Sequence, residues 1–257
     1  IMRLIPNPPG DIVGGKSQNL PFIDRQLAGG DTIAQTIAWA RENPNVRAIV
    51  LRINSPGGMA LASEIMAREV FRTRGAKPIV VSMGDTAASG GYYAAAGGDV
   101  SFAQAATLTG SIGIFSGKFD LSRLLDRLGM TWENERRGDH ADMGSFLRPY
   151  TDDEKKRVRA QIQHQYDRFV RAVARGRRLA EADVDKVARG RVWTGEQALA
   201  RGLVDKIGGL GDAIAEAKRR AGVGESDRLE VVMLPYEPNT LTEYLGALGD
   251  PDSRATL

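Results

Sequence analysis

The chain has 257 residues, 42% of them hydrophobic and 26% charged, with 35 lysines and arginines against 32 aspartates and glutamates. That length and balance fit a globular protein with a sizeable buried core and exclude a wholly disordered one. A net charge of +3 leaves no electrostatic footprint for nucleic acid, and a sequence without cysteine excludes thiol catalysis, disulfides and cysteine–zinc sites together.

His140 and His164 are the two histidines, so neither a metal nor a cofactor is expected. The basic run Arg168 to Arg178 reads as a solvated helix face. No apolar run approaches the roughly 20 residues that cross a bilayer. Membrane association, if any, is expected through a segment outside this chain.

In chain order, Ile1 to Leu20 is rich in proline and glycine and predicts irregular structure. Asp31 can cap a helix expected to run to about Glu42. Val46 to Ile53 is a β-branched run that predicts a buried strand, ending at Asn54-Ser55-Pro56-Gly57-Gly58. A helix is expected from Ala60 to Thr73, a strand from Pro78 to Met83, a small-residue helix from Ser89 to Ala96 and a strand from Val100 to Ala103. Strand–turn–helix units at this spacing predict an α/β fold with parallel pairing. The second half is more helical. Thr151 with Glu154 makes a capping box for a helix to Arg178; further helices are expected over 180–189, 195–201 and 211–221, with a late strand over 229–233. The expected division is an irregular segment over 1–28, one domain with a helical arm over 29–223, and a strand and tail over 224–257.

Two glycine-rich turns follow predicted strands. At Gly57-Gly58 the backbone can take unusual dihedrals and let a ligand approach closely. In Met83 to Tyr93, Ser89 opens a helix between small residues and two glycines. That placement suits an exposed nucleophile whose following N–H faces a developing oxyanion, although Gly-x-Ser-x-Gly is absent and a helix N-cap serine is the ordinary alternative. Together the two turns could set two N–H donors around one carbonyl.

Four segments resemble the signatures of the signal peptide peptidase A (protease IV) family of serine–lysine peptidases. They are Ala48 to Gly58, Met83 to Tyr93, Leu108 to Phe115, and Gly190 to Gly195 followed by Gly202-Leu203-Val204-Asp205, in the family's order. The resemblance implies a crotonase-like (ClpP-like) fold of repeated ββα units and a membrane-anchored peptidase of the bacterial envelope, facing the periplasm or extracytoplasmic side, that degrades cleaved signal peptides. It implies Ser89 as nucleophile, Ser111 as the serine orienting a general-base lysine, and Gly90 with Gly57 or Gly58 as oxyanion donors. It also implies an extended peptide beside Met59, Ala60, Gly110 and Ile112, and a homo-oligomer sheltering its active sites.

The base departs from the family pattern, because Ala141 stands where short members carry the lysine. Three readings follow. The chain is the serine-bearing half of a long duplicated member whose N-terminal half supplies the lysine; or a lysine has been replaced; or His140 is the base, with Asp139 or Asp142 beside it. The first is preferred, since the loop Gly138 to Ser145 also lacks the pattern that flanks the lysine. Gly10-Asp11-Ile12 resembles the family's opening turn, but Ile1 to Pro9 makes a poor strand, which points to a fragment or one piece of a larger assembly. The rival functions are a crotonase-type acyl-CoA enzyme, in which a serine in this glycine context has no task, a catalytically inactive scaffold, and a ClpP-type peptidase needing a His–Asp pair.

Overall fold

The structure is a computed structural model describing residues 2–6, 12–13, 18–19, 26–224, 227 and 229–234. It divides into two compact units, one made of the chain up to Gly113 and from Phe169 onward, the other of Ile114–Arg168.

The first unit is α/β. Its elements begin with β1 (Met2–Pro6), β2 (Ile12–Val13), β3 (Gln18–Asn19), β4 (Gln26–Gly29), α1 (Gly30–Glu42), β5 (Ala48–Ser55), α2 (Ala60–Thr73), β6 (Ile79–Ala88), α3 (Gly90–Ala95), β7 (Val100–Ala103) and β8 (Leu108–Gly110). The second unit holds α4 (Ser122–Arg127), and α5 (Asp152–Arg177) begins in it and ends in the first. Back in the first unit come α6 (Glu181–Val187), β9 (Val192–Thr194), α7 (Gly195–Ala200), β10 (Lys206–Ile207), α8 (Leu210–Arg220) and β11 (Val231–Met233).

Among the described residues the main sheet has eight strands, in the order β10-β7-β6-β5-β1-β11, with β8 on β6 and β9 on β8. All its pairings are parallel except β8 with β9. A smaller sheet is ordered β2-β4-β3.

Burial explains the apolar run of β5. Ala48, Val50, Val80, Val100 and Phe102 face Ala213 and Ala217 of α8, whereas Ile49, Ile53, Val81 and Met83 alternate to the opposite face and are equally dry. A strand covered on both faces needs apolar residues at every step rather than at alternate ones. Each Ile or Val removed from water here contributes about 1.5–3 kcal/mol before the entropy of ordering the chain is counted.

Three expectations are corrected. Met2–Pro6 is a strand, paired in parallel from Met2↔Ala48 to Pro6↔Arg52, where irregular chain was predicted. Pro6 stands at its last position, where a missing N–H ends a ladder without breaking it. The strand expected to stop at Met83 continues to Ala88: its first part pairs with β7 at Val80–Ser82 and its last with β8 at Thr86–Ala88. Thr107 holds the changeover, its hydroxyl donating to the Gly84 carbonyl at 2.7 Å. The helix expected from Ser89 starts at Gly90. Gly10 and Asp11 of the resembled opening turn, and most of the tail over 224–257, lie outside the described residues.

In the second unit α4 buries none of its residues. Hydrogen bonds and ion pairs supply much of the order there. The capping box reads as the sequence has it, with Glu154 N–H donating to Thr151 Oγ1 and Thr151 N–H to Glu154 Oε2. Arg148 joins Asp142 at 2.6 Å and Glu154 at 2.7 Å.

Candidate active site

Ser89 lies between the end of β6 and the start of α3 with φ 50° and ψ −120°. Those dihedrals are sparsely populated for any residue with a Cβ; they cost on the order of 1–3 kcal/mol and persist only where neighbours over-determine them. The neighbours are explicit here. Ser89 N–H donates to the Gly110 carbonyl at 2.9 Å, and Ser89 C=O accepts the Tyr93 N–H at 2.9 Å. The side chain makes no capping bond, so the half-buried hydroxyl is not spent on the helix. The chain thus makes a sharp strand-to-helix turn at Ser89, without the Gly-x-Ser-x-Gly spacing.

The turn after β5 stands against it. Gly57 and Gly58 have φ of 117° and 149°, a region that L side chains rarely enter. The turn is pinned from outside by Ile12, whose N–H donates to Gly57 C=O at 2.7 Å and whose C=O accepts Met59 N–H at 2.8 Å. It is pinned from within by buried Ser55, whose Oγ accepts the Gly57 N–H at 3.1 Å. A Cβ on Gly57 would lie 2.7 Å from Ser89 Cβ and 2.8 Å from Gly90 N. One on Gly90 would lie 2.2 Å from Ser63 Oγ and 3.2 Å from Gly58 N. The two turns therefore meet only because both lack side chains.

Of the alternatives Gly57 and Gly58, the first has its N–H committed to Ser55. The N–H groups of Gly58 and Gly90 have no acceptor among the described residues; Gly90 opens a helix, so no intrahelical acceptor exists for it.

Ser111 follows β8 as Ser89 follows β6, one residue beyond the register pair Ala88↔Gly110. Its φ is 48°, and its N–H donates to Arg191 C=O at 2.7 Å. Behind Gly110 lies Trp193, 2.9 Å from where a Cβ would be. The indole donates to Val187 C=O at 2.9 Å, and the Arg201 guanidinium covers the ring at 3.7 Å.

The stretch expected to pair with a peptide is narrower than its sequence suggests. Gly110 C=O is taken by Ser89, Ile112 C=O accepts the Gly190 N–H, and the Ile112 side chain is fully buried. At the other flank Met59 is 55% and Leu61 66% exposed, an open apolar surface directly after Gly58, with Ala60 half-buried between them.

Three described lysines of the first unit are committed away from Ser89. Lys77, whose pKa burial lowers, donates to the carbonyls of Ala40 and Asn43 and precedes β6, about 30 Å of strand away from Ser89. Lys206 pairs with Glu216 and Lys186 with Asp183. Lys16 lies outside the described residues.

In the second unit Lys118 is clamped by the carbonyls of Met143 and Ser145 at 2.9 and 2.7 Å and lies over the Tyr150 ring. His140 is corrected in its partners. Its Nε2 is 3.2 Å from Asp153 and its Nδ1 3.8 Å from Glu154, while Asp142 belongs to Arg136 and Arg148. Among the described residues no cluster of three metal-ligating side chains exists, and no helix is long and apolar enough to cross a membrane.

Sequence reasoning missed Ser55, Ser63 and Thr109. Ser63 Oγ donates to Met59 C=O at 3.0 Å under Gly90, and Thr109 Oγ1 donates to Ala87 C=O at 2.7 Å beneath Ser89. A lone serine in a helix and a threonine in a strand carry no signal; Ser55, inside the glycine turn, could have been found as an Oγ two residues before an orphan amide.

A model of peptidase family S49 matches residues 72–224. The chain is 38% identical over 220 residues to the chloroplastic serine protease SPPA of Arabidopsis thaliana, covering 85% of this chain and 32% of that protein. It is 38% identical over 214 residues to Protease 4 of Haemophilus influenzae, covering 83% and 34%. It is 42% identical over 194 residues to Protease 4 of Salmonella typhi, covering 75% and 31%. The chain thus spans about a third of the length of these curated relatives.

Proposed function

The chain belongs to peptidase family S49, and from that premise we propose that it is the nucleophile-bearing part of a serine endopeptidase with a Ser/Lys dyad. The single observation that carries the reading is Ser89 at φ 50°, ψ −120° beside the uncommitted amides of Gly58 and Gly90. A serine that served only to cap α3 would need neither the disfavoured dihedrals nor two bare turns in front of it.

In this reading a peptide carbonyl carbon meets Ser89 Oγ while its oxygen takes the N–H groups of Gly58 and Gly90. These donors are fixed before the reaction, so they stabilise the charge that develops on oxygen without reorganising; each is worth about 10²–10³ in rate. The Ser89 proton passes to a lysine that Ser111 orients, then to the leaving amine, and water repeats the sequence on the acyl-enzyme. The lysine comes from another domain or chain, since Ala141 holds the expected position and Lys77, Lys186 and Lys206 of the first unit are remote or paired. The open apolar surface at Met59 and Leu61 suits extended apolar peptides, which fits cleaved signal peptides as substrates.

The fold proposed is the crotonase-like (ClpP-like) one of repeated ββα units. The assembly proposed is a homo-oligomer that includes a lysine-bearing half, at the membrane of the bacterial envelope through a segment outside this chain. The test is hydrolysis of a quenched fluorescent apolar peptide by the reconstituted protein. Ser89→Ala should remove turnover with an unchanged unfolding temperature, and turnover at the parent level in that variant contradicts the assignment.

A further inference from the structure

At the end of β6 remote from Ser89 lies a cavity of about 260 Å³, lined by Arg74, Arg177, Arg178, Arg220, Asp99 and Asp205 together with Gly98 and Gly176. Asp99 Oδ2 accepts the Ile79 N–H at 2.9 Å, at the first residue of β6, which places the cavity about 30 Å of strand from the nucleophile.

Both acids are spoken for. Besides Asp99, Asp205 Oδ2 accepts the Ser101 N–H at 2.7 Å, and its two oxygens take a bidentate pair from Arg177 at 2.7 and 2.8 Å. Burial would raise the Asp205 pKa, but the bonds from Arg177 hold it below the usual carboxylate range. Arg74 reaches Asp99 only at 3.6 Å and the Gly176 carbonyl at 3.3 Å. Arg220 donates to Glu216, a carboxylate already shared with Lys206 and Arg219. Arg178 has no acceptor among the described residues. The lining carries two more cations than anions.

Each arginine alone has an ordinary reason, since cations suit the carbonyl ends of helices, and α2, α5 and α8 all end here. That reason does not extend to Arg178. It closes α5 at φ 56°, where Leu179 N–H reaches back to Ala174 C=O at 3.0 Å, a Schellman turn whose left-handed position ordinarily belongs to glycine. A glycine would close the helix without the steric penalty that a side chain meets there. Arg189 shares the conformation at φ 58° but binds Asp185 at 2.5 Å. Arg178, exposed and without an acceptor among the described residues, keeps the strain and borders that cavity.

We propose that this cavity binds a phosphate group, free or as a lipid headgroup, with Arg178 as its principal donor. A tetrahedral dianion matches the surplus of two charges, and arginine forks bind phosphate oxygens in pairs.

The experiment uses the whole chain as wild type, Arg178→Gly and Arg189→Gly. Each is heated with inorganic phosphate or with acetate at matched ionic strength, then sedimented with vesicles of phosphatidylglycerol or of phosphatidylcholine. Both glycine variants relieve the same backbone strain, so both should unfold no earlier than wild type. Phosphate at ten times its dissociation constant should raise the unfolding temperature of wild type and Arg189→Gly by about 3 °C. Acetate should not, and Arg178→Gly should lose the shift. If the source is a headgroup, phosphatidylglycerol vesicles retain wild type and Arg189→Gly but release Arg178→Gly; if it is free phosphate, only the thermal arm responds. No response in either arm, or equal responses from Arg178→Gly and wild type, overturns the proposal. Neither result depends on Ser89.

Discussion

Ser89 and Ser111 leave neighbouring parallel strands one residue past the same register pair, Ala88↔Gly110, and both turn at positive φ, 50° and 48°. One carbonyl links them: Gly110 C=O holds the Ser89 N–H, and the next residue is Ser111. The sheet thus fixes two strained serines side by side, and the strain has a thermodynamic signature.

Replacing Ser111 by glycine should raise stability by roughly 1 kcal/mol, because glycine takes φ near 50° without a Cβ penalty. Under the proposed mechanism the same change should lower kcat far more than it alters KM. Thermal unfolding and steady-state kinetics on one preparation check both signs. A Ser111→Gly protein that is both stabler and fully active leaves the hydroxyl with no role.

Gly90→Ala would set a methyl group 2.2 Å from Ser63 Oγ and 3.2 Å from Gly58 N. Overpacking of this kind typically costs 1–3 kcal/mol. Adding Ser63→Ala removes the nearer obstacle, so the double variant should recover most of the unfolding temperature. Activity should return less fully, since the methyl still presses on the Gly58 amide. Equal recovery of both would mean that the spacing of those two amides is unimportant.

Ser55 is fully buried and its Oγ accepts the Gly57 N–H. Ser55→Ala leaves that amide buried without a partner, which should cost about 1–3 kcal/mol. It also frees the turn that presents Gly58. Chemical denaturation should show the loss as a lower midpoint at unchanged slope.

The loop around Ala141 should open in acid. Hydrogen bonds from Arg148 lower the pKa of Glu154 from 4.5 to about 2 and take Asp142 well below its ordinary 3.8. A depressed folded pKa contributes stability that is complete above the unfolded value and disappears as pH falls through the folded one. Protection factors over residues 138–154, taken against the intrinsic exchange rate at each pH, should therefore hold down to about pH 4.5 and fall from there towards pH 2. Arg148→Gln should remove the protection already at neutral pH; unchanged exchange in that variant would rule out the ion pairs as the source of order.

Much of this architecture was legible in the sequence. The strand at Ala48–Ser55, the helix at Ala60–Thr73 and the capping box at Thr151 follow from β-branched runs, apolar periodicity and cap chemistry, all local signals. The continuation of β6 to Ala88 was not legible, because Gly84-Asp85-Thr86-Ala87-Ala88 has poor strand propensity and is held extended by partners: β8, the Thr107 hydroxyl and Asn54, whose Oδ1 accepts the Thr86 N–H at 3.1 Å. Met2–Pro6 failed for the same reason, its pairing to β5 and β11 being set by residues far along the chain. At the site, the glycine turns pointed to Ser89 and Gly90, but a choice between Gly57 and Gly58 needed the Ser55 hydroxyl, and no spacing rule reveals which amide is already occupied.

The most direct measurement is labelling by a fluorophosphonate, followed by peptide mapping of the modified residue. It should be made on this chain alone, on the chain mixed with a lysine-bearing partner domain, and on Ser89→Ala in the same mixture. The account predicts modification of Ser89 in the mixture, little in the lone chain and none in the variant. Equal labelling of the lone chain would return the base to these residues, and silence of Ser89 in the mixture, or label at another residue, would contradict the assignment of the nucleophile.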